Sequence, residues 1–356
     1  MPYSDTPTKQ TQRLSLQPDA SKALRRTESI RKYVMSPSPI SKSSIDTSPE
    51  FSSTFMSRSG TEIRWKDRTI YRIGRNVTAG YPKDLIEQER QEAEHHLLRI
   101  LLGYPYHGPV LDILKSSSRM NRKRILDMGT GTGIWAIDMA DLFPHVDVIG
   151  IDEVNIQPEL VPPNCEFYIS DLTKPLPYPL SSFDIIHIRF LSTRVQSYPS
   201  ILSQALTLLR PNGLLLLFEN FTFIPPQTVH DITPKGVQAF YDCYKRSFSS
   251  SGLKVCKLED VVGTLRGGGD IKGDLIKVPI GHGTGRMTQL SKIHLINLKA
   301  WIESTRYTII EGGGYTNNEF DILSQAFIDD LEKEELYTCY HSLWVKKPTN
   351  VSQNSE

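Results

Sequence analysis

The residues best suited to chemistry are concentrated between Asp127 and Arg189. In "RILDMGTGTGIWAIDMA", residues 124–140, Gly129, Gly131 and Gly133 stand at alternate positions between an apolar run and a helical pattern, with Asp127 just before them. Glycine permits a positive φ and lets a ligand approach the backbone where a side chain would block it. Amides at a helix N-terminus then face that ligand. The generic dinucleotide fingerprint requires a glycine at 134, where this chain has Ile134. Asp152 follows Gly133 by 19 residues, at the end of the next apolar run. There a carboxylate accepts both hydroxyls of a ribose through charge-assisted bonds worth about 1.5–3 kcal/mol each. Nicotinamide enzymes place an acid similarly, so Asp152 alone leaves the cofactor open.

Further along, "FDIIHIRF" carries His187 and Arg189 at the end of another apolar run, and "IGHGTG" carries His282 in a loop. His187 is a candidate general base and Arg189 a candidate for binding an acidic substrate or pairing with an acid. Each key residue also has a purely structural reading. Asp127 could hold the glycine turn by bonding its amides, and Asp171 could cap the loop after "FYIS". Trp135, just inside the helix, could pack against a sheet. No metal is expected: adjacent His95 and His96 point to different parts of a helix surface, and the four cysteines lack zinc-type spacing.

These residues need a scaffold that brings strand ends together. The apolar runs "RILDMG", "VDVIGID", "CEFYISD", "FDIIHIRF" and "GLLLLFE" alternate with helical stretches, as in βαβ units. Their near-continuous apolarity is that of strands buried on both faces of a parallel sheet. The fold class is therefore α/β, a Rossmann-like doubly wound domain. Upstream, "PKDLIEQERQEAEHHLLRILL" spaces Ile86, Ala93, Leu97, Ile100 and Leu101 as one face of an amphipathic helix ended by Gly103. In the C-terminal third, helices are expected around "GVQAFYDCYKRSF", Leu290–Ser304 and Asn318–Glu334, with a strand at "DLIKVPIG". The final run "ELYTCYHSLWVKK" reads as an edge or antiparallel strand.

The expected organisation is a disordered Ser/Pro-rich tail (1–60), an N-terminal helical cap (61–120), the α/β domain (121–346) and a flexible C-terminal tail (347–356). The first segment holds an excess of four positive charges, three Ser-Pro pairs and "KALRRTESIRK", a weak import-like signal. The whole chain of 356 residues has a formal net charge of +1, so no global charge favours nucleic acid or an anionic membrane. No apolar run reaches the ~20 residues of a membrane span, no signal peptide is evident, and the sparse cysteines read as reduced thiols. A soluble cytoplasmic or nuclear protein is expected.

The G-x-G-x-G turn resembles motif I of class I S-adenosylmethionine-dependent methyltransferases, and "LLRPNGLLLLFE" resembles their helix-turn-strand element after the fourth strand. From about Ile70 to Lys346 the chain resembles the LaeA-type fungal methyltransferases through "YRIGRNVTAGYPKDLIEQERQEAEHHL", "GTGTGIWAIDMADLFPHVDVIGID", "IQPELVPPNCEF" and "SSFDIIHIR". The resemblance implies the class I fold with an N-terminal helical lid and S-adenosyl-L-methionine as cofactor. It assigns cofactor contacts to Asp127, Gly129, Gly131, Gly133, Asp152 and Asp171, the last against the adenine amino group. It also places Tyr71, Gly74, Arg75 and the segment from Tyr81 to Arg90 in the lid. Two activities follow: methyl transfer to a small-molecule or protein acceptor in fungal secondary metabolism, or regulation of metabolism and development through a nuclear protein partner. Met128, where the family often has a smaller residue, and the glycine-rich "RGGGDIKGD" depart from the pattern. The acceptor is left open, although the absence of Asn/Asp-Pro-Pro-Tyr after the fourth strand argues against methylation of nucleobase amino groups.

Overall fold

The computed structural model describes residues 61–73, 79–117, 120–220, 225–228 and 230–349, all within the compact unit Ser53–Glu356. The expected tail over 1–60, its Ser-Pro pairs and import-like run, and Gly74 and Arg75 lie outside the described residues. A seven-stranded sheet forms the centre. Strands β4 (Lys123–Met128), β5 (Val146–Asp152), β6 (Cys165–Ile169), β7 (Phe183–Arg189) and β8 (Leu209–Glu219) are parallel. Two further strands, β9 (Ile271–Ile280) and β10 (Leu336–Lys346), complete the order β6-β5-β4-β7-β8-β10-β9. β10 is antiparallel to both its neighbours, and β9, not β10, forms the edge. Order and direction are those of the Rossmann-like doubly wound α/β sheet that the apolar runs implied, with an antiparallel strand inserted beside its edge.

Helices cover both faces of the sheet because its strands are apolar on both. On one face α3 (Ile134–Leu142) and the short α2 (Val110–Leu114) bury Trp135, Met139 and Val110 against Ile125, Val148 and Ile185. On the other, α4 (Tyr198–Leu208) and α6 (Leu258–Leu265) bury Ile201, Leu202, Val261 and Leu265 against Leu126, Ile186 and Leu215. A third apolar cluster joins α5 (Lys235–Ser250), α7 (Met287–Tyr307) and α8 (Asn317–Lys333) through Phe240, Ile302, Phe320 and Phe327. Helix α6 went unread in the sequence because eight residues give too short a periodic signal.

The cap has more structure than a helix alone. Strands β1 (Thr61–Trp65), β2 (Arg68–Arg72) and β3 (Gly80–Pro82) form an antiparallel meander before α1 (Leu85–Leu102). Asp84 caps α1 by accepting from the Glu87 amide at 3.2 Å, and Gly103, at φ 83°, ends it as the sequence suggested. α1 packs on α7 and buries Leu97 and Leu98 beside Phe218 and Tyr340. At the other end, Lys347 was expected to begin a loose tail, yet its Nζ donates to the carbonyls of Leu206 and Leu209, both at 2.7 Å.

Candidate functional site

The glycine turn is built from the ends of two strands. As β4 ends, the amides of Gly129 and Thr130 both donate to the Ile151 carbonyl, at 2.9 and 3.0 Å, which pins the turn against the end of β5. Gly129, Gly131 and Gly133 have φ of 77°, 58° and 81°, a region that other residues enter only with strain. A Cβ at Gly129 would lie 2.8 Å from Leu191 Cδ1, and one at Gly131 would lie 2.8 Å from Gln91 Oε1. At Gly133 it would lie 2.4 Å from the Phe167 ring, so this third glycine serves close contact between α3 and the sheet.

Asp127, Gly129, Gly131 and Asp152 line one cleft, together with Tyr81, Arg90, Gln91 and Glu94 from the cap. Gly133 and Asp171 do not line it, although Leu172 does. Asp171 Oδ1 accepts from the amide and hydroxyl of Thr173, at 2.8 and 2.6 Å, which is the loop-capping arrangement. Its Oδ2 is buried with no hydrogen-bond partner. Asp152 Oδ2 accepts from the Gly131 amide at 2.9 Å and Oδ1 from the Val154 amide at 3.0 Å. Burial raises the Asp152 carboxyl above its ordinary value, and those two amides work against the rise. A carboxylate offers about four lone-pair sites, so two remain for a ligand's hydroxyls.

Asp127 does not bond the amides of the turn. Its Oδ2 accepts from Thr130 Oγ1 at 2.7 Å, and its Oδ1 lies 2.7 Å from His187 Nδ1. That contact requires the His187 Nδ1–H to donate, leaving Nε2 as the only nitrogen able to take a proton. Burial lowers the His187 pKa, with Asp127 opposing. Trp135 is both packing and cleft wall: its indole N–H donates to the Pro105 carbonyl at 2.6 Å while its ring stacks on His187. His282 is elsewhere, with Nδ1 2.9 Å from the Ile280 carbonyl and its ring against Tyr337. Among the described residues no His, Cys, Asp or Glu group is placed to hold a metal ion, the cysteines are free and buried, and no helix is long and apolar enough to cross a membrane.

The cap is fastened to the cleft by bonds that sequence reading did not identify. The Tyr71 hydroxyl donates to Glu153 Oε2 at 2.6 Å, joining β2 to the residue after β5. Buried Glu87 receives Arg90 Nε at 2.9 Å, Arg194 Nη2 at 3.1 Å and the Ser304 hydroxyl. Burial pushes the Glu87 carboxyl up, but the two arginines and Ser304 outweigh it and bring it down to about 2. The Arg194 guanidinium also lies 4.1 Å from the Tyr81 ring centroid. The spacing of Glu87, Arg90, Gln91 and Glu94 at three and four residues was the available signal, since it marks one polar helix face. Its partners, more than a hundred residues away in the chain, were not.

Comparison with known proteins finds matches over the region that holds the cleft. Residues 89–223 match the methyltransferase domain family, a stretch that contains the turn, Asp152, Asp171, His187 and Arg189. The chain is 39% identical over 133 residues to "Secondary metabolism regulator LAE1" of Cochliobolus heterostrophus, covering 37% of this chain and 42% of that protein. It is 33% identical over 178 residues to "Methyltransferase pytC" of Aspergillus terreus, covering 50% and 52% respectively. With "Methyltransferase str2" of Strobilurus tenacellus it shares 38% identity over 134 residues, covering 38% and 46%. The chain thus spans about half the length, or less, of these curated relatives. Over the matched region the chain is similar to methyltransferase domains, both those named as methyltransferases and those named as secondary metabolism regulators.

Proposed function

We propose that this protein transfers a methyl group from S-adenosyl-L-methionine to an acceptor in fungal secondary metabolism. The observation that carries the reading is the juxtaposition in one cleft of Gly129 and Gly131, whose missing side chains leave the backbone open, with the Asp152 carboxylate. The residues fit the cofactor. Asp152 has acceptor capacity left for the ribose hydroxyls and the glycine turn would receive the amino-acid moiety, whereas Asp171, which does not line the cleft, caps its own loop. When bound, the sulfonium supplies an electrophilic methyl.

The chain's own work is then orientation and exclusion of water. Asp127, clamped by Thr130 and His187, holds the inner edge of the turn, and Tyr81, Arg90 and Gln91 of the cap roof the cleft. His187 acts as a positioning residue for Asp127, with Nε2 its one site for accepting a proton. The second reading, a regulatory protein that binds the cofactor and acts through a partner, draws on the relative named as a secondary metabolism regulator. The test is calorimetric titration of the full chain with S-adenosylmethionine, S-adenosylhomocysteine and NAD. Binding of the first two and not the third supports the methyl-donor site, and binding of NAD alone overturns it. Turnover in an acceptor screen separates the enzyme from the regulator.

A further inference from the structure

Beyond His187 and Arg189 the cleft adjoins a second, smaller hollow, also lined by His95 and Arg99 of α1, His107 of the α1–α2 connection and Phe218 of β8. Two observations bear on what it could hold. First, Arg189 is a cation in an interior setting whose hydrogen bond runs to a neutral group: Nη1 donates to His95 Nδ1 at 3.2 Å. His95 Nε2 in turn donates to Asp138 Oδ2 at 2.9 Å, which fixes the tautomer that leaves Nδ1 an acceptor. The nearby carboxylates are engaged elsewhere: Asp138 also with Arg99 at 2.8 Å, Asp127 with His187 and Thr130, Glu94 with Arg90 at 3.1 Å. Second, both ring nitrogens of His107 are sealed from solvent with no hydrogen-bond partner. A buried polar ring left unsatisfied is costly, and a hydrogen-bond acceptor reaching the hollow would meet its N–H.

We infer that Arg189, backed by His95 and with His107 lining the same hollow, forms a carboxylate seat at the inner end of the cleft. Arg189 supplies the planar fork that carboxylates match, and neutral His107 supplies one further N–H. The anion it takes is the amino-acid carboxylate of the methyl donor or a carboxylate on the acceptor. Burial lowers the pKa of both Arg189, with Asp127, Glu94 and Asp138 opposing, and His107, the latter to about 3. The inference rests on reading the adjoining cleft as the methyl-donor site.

The test compares wild type with Arg189→Gln by calorimetry, using S-adenosylhomocysteine, 5′-methylthioadenosine (which lacks the amino-acid part) and benzoate. If the seat holds the donor's carboxylate, the variant loses at least tenfold in affinity for S-adenosylhomocysteine and keeps that for 5′-methylthioadenosine. If it holds the acceptor's, both nucleosides bind unchanged, and benzoate binds the S-adenosylhomocysteine-loaded wild type but not the loaded variant. Unchanged binding of all three ligands, or an equal loss for both nucleosides in a folded variant, overturns the seat. Should Arg189→Gln not fold, Arg189→Lys, which keeps the charge and loses the fork, is read by the same criteria. Failure of the donor-site reading shows separately, as wild type binding neither nucleoside, and benzoate titrated into the unloaded chain then tests the seat alone.

Discussion

His187 and Asp127 are paired in register on the adjacent strands β7 and β4, with His187 Nδ1 2.7 Å from Asp127 Oδ1 and both side chains buried. Residues level with one another on neighbouring parallel strands face the same side of the sheet. The Trp135 ring stacks on the His187 ring, with centroids 3.6 Å apart and planes tilted by 9°. His187→Ala removes the donor to a buried carboxylate and the stacking partner of a buried indole. It is expected to cost about 3 kcal/mol of stability. Urea denaturation checks this, and an unchanged midpoint would remove His187 from its positioning role.

Asp152→Ala is expected to weaken S-adenosylhomocysteine binding by about ten- to a hundredfold, through loss of the ribose bonds. The structure adds an effect that sequence alone did not show. Because Asp152 also accepts from the Gly131 and Val154 amides, the variant leaves two backbone donors without acceptors, at a cost of about 1–3 kcal/mol. Calorimetry and thermal denaturation on the same sample read both losses. Full affinity in the variant would misplace the site.

Gly133→Ala places a Cβ 2.4 Å from Phe167 Cζ in a residue at φ 81°. Backbone strain contributes about 1–2 kcal/mol, and the clash adds to it. Phe167→Leu in the same chain relieves the clash and leaves the strain, so the double variant is expected to be more stable than the sum of the single effects predicts. A double-mutant cycle in urea measures the coupling, and strict additivity would dismiss the contact.

Glu219, at the end of β8, accepts from the Leu191 and Ser192 amides and the Ser192 hydroxyl, at 2.7, 3.1 and 2.9 Å, and so holds the loop that lines the cleft after β7. Burial raises its carboxyl to about 7, against the opposing pull of those donors, from an ordinary value of 4.5. The folded chain thus binds a proton that the unfolded chain releases between pH 4.5 and 7. This contribution to stability is present below that window and is lost as pH rises through 7. Glu219→Gln lacks the titration, so its stability relative to wild type should be higher at pH 8 than at pH 5. Parallel denaturation curves at the two values check the sign.

Buried histidines act in the opposite sense. Burial lowers His95 to about 4, with Asp138 opposing, and His294 to about 4, with the Pro279 carbonyl opposing. The unfolded chain takes up protons near pH 6.5 that the folded chain refuses, so the stability these residues contribute above pH 6.5 is lost as pH falls toward 4. In Glu219→Gln this acid loss stands without the opposing carboxyl. Its stability should therefore fall from pH 7 to 5 more steeply than that of wild type.

Sequence by itself determined what neighbours along the chain encode. Continuous apolar runs specified strands buried on both faces. Gly103 marked the end of α1, and glycines at alternate positions required positive φ in the turn before α3. Asp127 and Asp152 were legible at strand ends that the βαβ pattern dictates and Gly129 and Gly131 in the turn that the glycine spacing marked, and all four line one cleft, while Gly133 and Asp171 of the same motif match do not.

Tertiary structure alone decided what meets across elements. The cap meander bonds to Glu153, Gly133 serves Phe167, Asp171 turns one oxygen to its own loop, and β10 lies inside the sheet because β9 covers it. His95, His107 and Arg189 come from a cap helix, a connection and a central strand, and no spacing in the chain joins them. The physical reason is that periodicity and turn chemistry act over a few residues. Which side chains face one another across the cleft depends on strand register and on how the cap docks, both set by burying apolar faces from distant parts of the chain.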